Sequence, residues 1–242
     1  MKHKTTFWLY DSQRKHFINE ISDFRDLCVE KVIPLFENPD KQADEYEKEL
    51  WSEVYESPPC GIDGEMVDPS KLYADVQAQA FRRYQLLRIM SYRTIAMWLS
   101  CAYQMWEQQC KTFVIQECKN NRIRYTEKDV RNDKWPSAMF KRHGIDFESF
   151  HCWDKLHELD LLVNTFKHSE GRSEKELQQK RPEIFIKANQ YLGNQALLNV
   201  YHTSLLETTI YLTQQDFFDY CNAIVEFWNE LPNQMVEVGV QL

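Results

Sequence analysis

The stretch Trp153–His168 reads WDKLHELDLLVNTFKH, and its periodicity decides the fold class. At about 100° per residue, Leu156, Leu159, Leu162, Val163 and Phe166 fall on one side of a helical wheel. His157, Asn164 and His168 fall within about 40° of one another on the opposite side, with Leu161 close to them. Asp154 and Asp160 flank this polar ridge. The spacing predicts one amphipathic helix that turns Val163 inward and Asn164 and His168 outward.

The helical pattern continues on both sides of this segment. Between Ser70 and Trp135 there is no Gly or Pro, and Tyr73, Val76, Ala80, Tyr84, Leu87, Ser91, Ile95, Trp98, Ala102, Met105 and Phe113 follow spacings of three and four with one longer gap. One long helix, or two with a kink, is expected to about Cys118. Its broad aromatic-rich stripe suits a central bundle helix better than a coiled coil. Toward the N-terminus, Trp8 to Glu56 reads as two helices. The first carries Phe17, Ile21, Phe24, Leu27 or Cys28, Val32 and Leu35; the second carries Tyr46, Leu50, Trp51 and Val54 beside an acidic face. Ser57 to Pro69 holds Pro58, Pro59, Gly61 and Gly64 and is the best internal boundary.

Later segments are shorter. Thr126 is placed to cap a helix, and Ser137–His143 is expected to be helical and to stop at Gly144. Gly171 is expected to end the focal helix, with Glu170–Pro182 a polar connection. Residues 183–213 give no clear pattern, and Thr208–Leu212 reads equally as strand or helix. Thr213 or Asp216 opens a last helix with Phe217, Tyr220 or Cys221, Ile224, Phe227 or Trp228 and Leu231 on its apolar stripe, stopped by Pro232. The expected architecture is all-α: a single helical bundle domain with long central helices over 69–242, carrying residues 1–68 as an N-terminal helical extension packed on it.

Composition narrows the function classes. The 242 residues carry a net charge of −8, which gives no global drive toward nucleic acid or an anionic membrane, so no DNA partner is expected. Two local basic groups stand out, Lys141–His143 and the set Lys167, Arg172, Lys175, Lys180 and Arg181, both read as solvated surface. Seven cysteines, none in C-x-x-C spacing, argue against a disulfide framework and against a zinc ribbon. There is no signal-peptide pattern and no apolar run of membrane-spanning length, so a soluble cytoplasmic protein without membrane contact is expected. His157 and His168 lie about 16 Å apart along a helix axis, too far to share an ion. No metal and no cofactor are expected, and none of the nucleotide-binding or hydrolase motifs occurs.

The residues Gly144-Ile145-Asp146-Phe147, Trp153, Leu156, Glu158-Leu159 and Asn164-Thr165-Phe166-Lys167-His168-Ser169-Glu170-Gly171 together resemble the core signature of HEPN-like proteins. The resemblance runs from the second half of the long helix to about residue 231. It implies an up-and-down helical bundle, often dimeric, whose active members cleave RNA without a metal. There, a histidine exchanges protons with the ribose 2′-OH or the leaving oxygen, and an arginine stabilises charge on the phosphate. Asn164 and His168 match the motif's polar residue and histidine, and so would be its catalytic positions. The arginine is missing: Val163, Leu162 and Leu161 occupy the positions it could take. An isopropyl group restores neither the fixed charge nor the forked donors of a guanidinium. His157, Lys167 and Arg172 are the remaining candidates for binding, the latter two as substitute cations.

Three functions follow from these residues. One is a non-catalytic HEPN-like protein acting by association, as a homodimer or with a protein partner, in a bacterial defence, toxin–antitoxin or abortive-infection setting. Another is a metal-independent endoribonuclease using His168 with a non-standard cation, with RNA as substrate. The third is an immunity or antitoxin-like protein that binds a toxin through its acidic surface.

Overall fold

A computed structural model describes residues 4–60, 66–188, 198, 202–204 and 209–238. In chain order they form β1 (Thr6–Trp8), α1 (Asp11–Lys31), α2 (Pro39–Glu56), α3 (Pro69–Asn120), α4 (Glu127–Arg131), α5 (Trp135–Arg142), α6 (Trp153–His168), α7 (Arg172–Lys180), α8 (Pro182–Ala188), α9 (Gln214–Glu230) and β2 (Gln234–Val236). The protein is all-α, with one small antiparallel sheet pairing Thr6 with Val236, Phe7 with Met235 and Trp8 with Gln234. No helix among the described residues is long and apolar enough to cross a membrane.

Most helix bounds follow from local chemistry. α3 is one unbroken helix of 52 residues, as the absence of Gly and Pro within it allows. Thr126 and Thr213 each cap a helix reciprocally with the acid three residues on, Asp129 and Asp216. α1 stops at Lys31, ahead of the 3₁₀ turn Ile33–Phe36 that contains Pro34. Gly144, at φ +79°, turns the chain after α5. α6 spans Trp153–His168 as read from its periodicity, and it is Ser169, at φ +59°, rather than Gly171 that turns the chain out of it. One expectation needs correction: the supposed polar connection that follows is helix α7, anchored by Leu177, which is fully buried. Of the segment Thr208–Leu212, Thr208 lies outside the described residues, and 209–212 form neither strand nor helix.

The chain divides into two compact units, Met1–Cys28 with Ile95–Leu242, and Val29–Thr94. The loop between Ser57 and Pro69 lies inside the second of these. In that second unit α2 packs against the first part of α3. The Trp51 and Tyr73 rings meet at 6.0 Å, Arg83 lies 5.5 Å over the Tyr46 ring, and Ala43, Val76, Ala80 and Leu87 are buried.

The first unit has an aromatic core. Phe113 stacks on Phe140 at 5.4 Å, Phe227 meets Phe147 edge-on at 4.9 Å, and Trp228 lies 4.4 Å from Phe17. A buried amide fixes the register of three helices there. Gln109 of α3 accepts from the Trp228 indole at 2.8 Å, and donates to the Phe17 carbonyl and the Glu20 carboxylate at 3.0 Å each. A polar group this deep is tolerated because each of its contacts is a formed hydrogen bond.

Candidate functional site

α6 is built as its periodicity predicts, and it is more deeply enclosed. Leu156, Leu159, Leu162 and Val163 are buried, with Val163 at 0% exposure. Glu158, Leu161 and Thr165 are buried too, because α6 packs against both α7 and α9. The start of the helix is held by Glu230, the last residue of α9, whose two carboxylate oxygens accept the backbone N–H groups of His151 at 2.9 Å and Cys152 at 3.1 Å. A carboxylate suits this place because the first N–H groups of a helix have no internal partner. These bonds hold the Glu230 carboxyl below its ordinary range, outweighing the opposing effect of burial.

The predicted site residues go to different neighbours. His157 bonds through Nε2 to Glu176 of α7 at 2.8 Å, and its ring lies parallel to Trp153 at 5.9 Å. Asn164 donates to Asp160 Oδ1 at 3.0 Å, and the same oxygen accepts the Tyr103 hydroxyl of α3 at 2.7 Å. Lys167 is exposed, and its charge acts on Glu107 of α3. Burial first, then the charge of Asp133, pushes the Glu107 carboxyl up. Asn164 and Lys167 therefore lie at the margin of a cluster made of Tyr103, Glu107 and Asp160. His168 and Arg172 are exposed, and neither side chain makes a hydrogen bond or ion pair among the described residues. His157 and Asn164 are thus engaged with separate partners, and no side-chain hydrogen bond links either to His168.

A denser polar cluster among the described residues lies elsewhere and escapes sequence reasoning. Glu158 Oε1 accepts Tyr220 Oη at 2.6 Å, Lys155 Nζ at 2.8 Å and Arg181 at 2.5 Å. Arg181 also reaches Asp216 at 3.1 Å and bonds to Glu183, and Lys155 sits 4.6 Å over the Tyr220 ring. Burial raises the Glu158 carboxyl, but the bonds from Lys155, Tyr220 and Arg181 outweigh it and leave the group below its ordinary value. The arrangement pairs opposite charges across α6, α9 and the α7–α8 junction. It leaves no open coordination or nucleophile and acts as a structural tie. The signal in sequence is weak, since Lys155 and Glu158 are three apart but their partners lie far along the chain.

Some members of each basic group are drawn into ion pairs or hydrogen bonds. Arg142 binds Glu237 Oε1 through Nε at 3.0 Å and a terminal nitrogen at 2.7 Å. His143, read as surface, is 1% exposed: its ring stacks 3.6 Å from Phe7, and its nitrogens meet the Met139 carbonyl at 2.8 Å and Thr5 Oγ1 at 3.1 Å. Burial lowers its pKa despite the neighbouring acceptors. Arg181 is enclosed as described, and Lys180 lies 3.5 Å from Asp154. Among the described residues no group of three His, Cys, Asp or Glu side chains is placed to hold a metal ion. No protein-family model, curated protein or solved structure matches the chain.

Proposed function

We propose that this is a non-catalytic helical protein that acts by association with protein, a degenerate HEPN-like bundle in a defence or toxin–antitoxin setting. The observation that carries the reading is Val163. It is wholly buried at the position where the resemblance would require an exposed arginine. His168 has neither a bonded base nor a fixed cation to form the pair that phosphodiester cleavage needs, and a lone exposed imidazole supplies little of the required stabilisation. Asn164 is committed to Asp160.

Incubating the purified protein with total RNA in chelator tests the reading. No cleavage is expected, and His168→Ala is expected to behave as the parent does. Cleavage that disappears in His168→Ala overturns the proposal.

A further inference from the structure

Thr5, just before β1, and Glu237, just after β2, face each other across the small sheet. The Glu237 backbone N–H donates to the Thr5 carbonyl at 2.9 Å, and the Thr5 backbone N–H donates to Glu237 Oε2 at 3.0 Å. His143, just after α5, lies beside this pair with its ring stacked on Phe7. One row of side-chain contacts runs through that ring. The Met139 carbonyl lies 2.8 Å from Nδ1, and Thr5 Oγ1 lies 3.1 Å from Nε2. Glu237 Oε2 lies 2.7 Å from the same Thr5 oxygen.

Counting protons along the row restricts its states. Both ends only accept: Met139 presents a carbonyl, and Glu237 is a carboxylate, its pKa brought down to about 2 by its bonds from Thr5 and Arg142. The three contacts therefore need three protons from the groups between. The Thr5 hydroxyl supplies one. A neutral imidazole supplies one more, and the Met139 carbonyl requires it on Nδ1. Nε2 is then an acceptor, as Glu237 is, and a single hydroxyl proton cannot serve both. An imidazolium supplies two protons, and all three contacts form at once. The surroundings set the cost of that second proton. Burial opposes it, since the ring is 1% exposed, and Arg142 of α5 opposes it too. The Met139 carbonyl, Glu237 and Glu117 of α3 favour it, as does the face of Phe7 at 3.6 Å. Burial prevails, so the ring charges below its ordinary range.

We propose that His143 is a proton-operated switch on the β1–β2 clasp, and that the Thr5 hydroxyl is its moving part. With the ring neutral, the hydroxyl donates to Nε2, and Glu237 keeps the Thr5 backbone N–H and Arg142. A solvent proton taken up on the Nε2 lone pair reverses the Thr5 contact. The ring then donates to Thr5 Oγ1, and the hydroxyl turns to Glu237 Oε2. Acid thus transfers one hydroxyl bond from the end of α5 to the end of β2, adding a side-chain tie between the two strands. The switch does not depend on the association reading.

Nuclear magnetic resonance of the His143 ring nitrogens in the full chain, titrated from about pH 8 to about pH 4, tests it. The neutral wild-type ring is expected to carry its proton on Nδ1, and in acid both nitrogens are expected to be protonated. Thr5→Val removes the acceptor for the second proton and is expected to weaken its binding by roughly ten-fold or more, a pKa lower by about one unit. Thr5→Ser keeps the hydroxyl and is expected to titrate with the wild type. Far-UV circular dichroism confirms that the variants fold, and the wild-type tautomer tests the proton count without any variant. A neutral ring protonated on Nε2, or a ring that stays uncharged until the chain unfolds, overturns the proposal. So does a Thr5→Val protein that titrates with the wild type, or a Thr5→Ser protein that titrates with Thr5→Val.

Discussion

Replacing Glu158 with alanine tests how the first unit is held together. Its carboxylate is enclosed, with its side chain at 12% exposure, and takes three donors on one oxygen. Alanine leaves the fully buried Tyr220 hydroxyl without its acceptor, and leaves Arg181 with Asp216 and Glu183 only. Breaking a buried ion pair from one side costs about 3–5 kcal/mol, and an orphaned hydroxyl about 1–3 kcal/mol. Because Arg181 keeps two acids, the expected loss is about 3–4 kcal/mol in all. Tyr220→Phe removes one donor while Lys155 and Arg181 remain, and is expected to cost about 1–2 kcal/mol. The pair should be non-additive, since both act through one oxygen.

The assay is urea unfolding followed by circular dichroism and by tryptophan fluorescence, with m-values compared among variants. The pH dependence gives an independent check. Glu158 has a depressed pKa in the folded state, so its contribution is complete above the unfolded carboxyl value, near 4.3, and is lost as pH falls through the lower folded value. The gap between parent and Glu158→Gln should therefore narrow in acid and be constant from about pH 5 to 7. A loss below about 1 kcal/mol for Glu158→Ala, with an unchanged m-value, would show that the cluster is incidental to stability.

Other expectations follow from single features. Val163→Arg places a guanidinium in a fully enclosed site and should unfold the first unit or cost more than about 4 kcal/mol, read by thermal melting, without creating RNA cleavage. Glu230→Ala removes the acceptor for two N–H groups at the start of α6; a loss of about 1–2 kcal/mol is expected, with faster amide exchange at His151 and Cys152. Of the seven free thiols, Cys60 is exposed and should react first with a disulfide reagent. Burial pushes Cys28 and Cys118 to about 11 and Cys152 and Cys221 to about 12, so these should react only on unfolding.

Where the chain is long and periodic, its sequence is readable. α3, α6 and α9 each carry many apolar residues at a helical repeat, and Thr126 and Thr213 sit three residues before the acids that complete their caps. α7 is not readable, because Leu177 is the one apolar residue among its nine. Its existence encloses Leu161 and Thr165, which a lone wheel for α6 leaves near the solvent face or at its edge. The strands β1 and β2 have three residues each, too few to display an alternation, and their partners are separated by almost the whole chain. The candidate site was legible as a helix that turns Val163 inward. The divergence of its residues was not, since what captures His157 and Asn164 are Glu176 and Asp160, contacts set by packing and side-chain reach.

The β1–β2 pairing has a consequence for biosynthesis. Phe7 is covered by a strand made some 230 residues later, so after it leaves the ribosome it waits until that whole intervening span has been synthesised. Throughout that interval the nascent chain displays an unpaired edge beside an uncovered aromatic ring, a combination that chaperones bind and that invites aggregation. Slowing elongation should lengthen this vulnerable period, and supplying residues 234–236 in a permuted chain, directly ahead of β1, should abolish it.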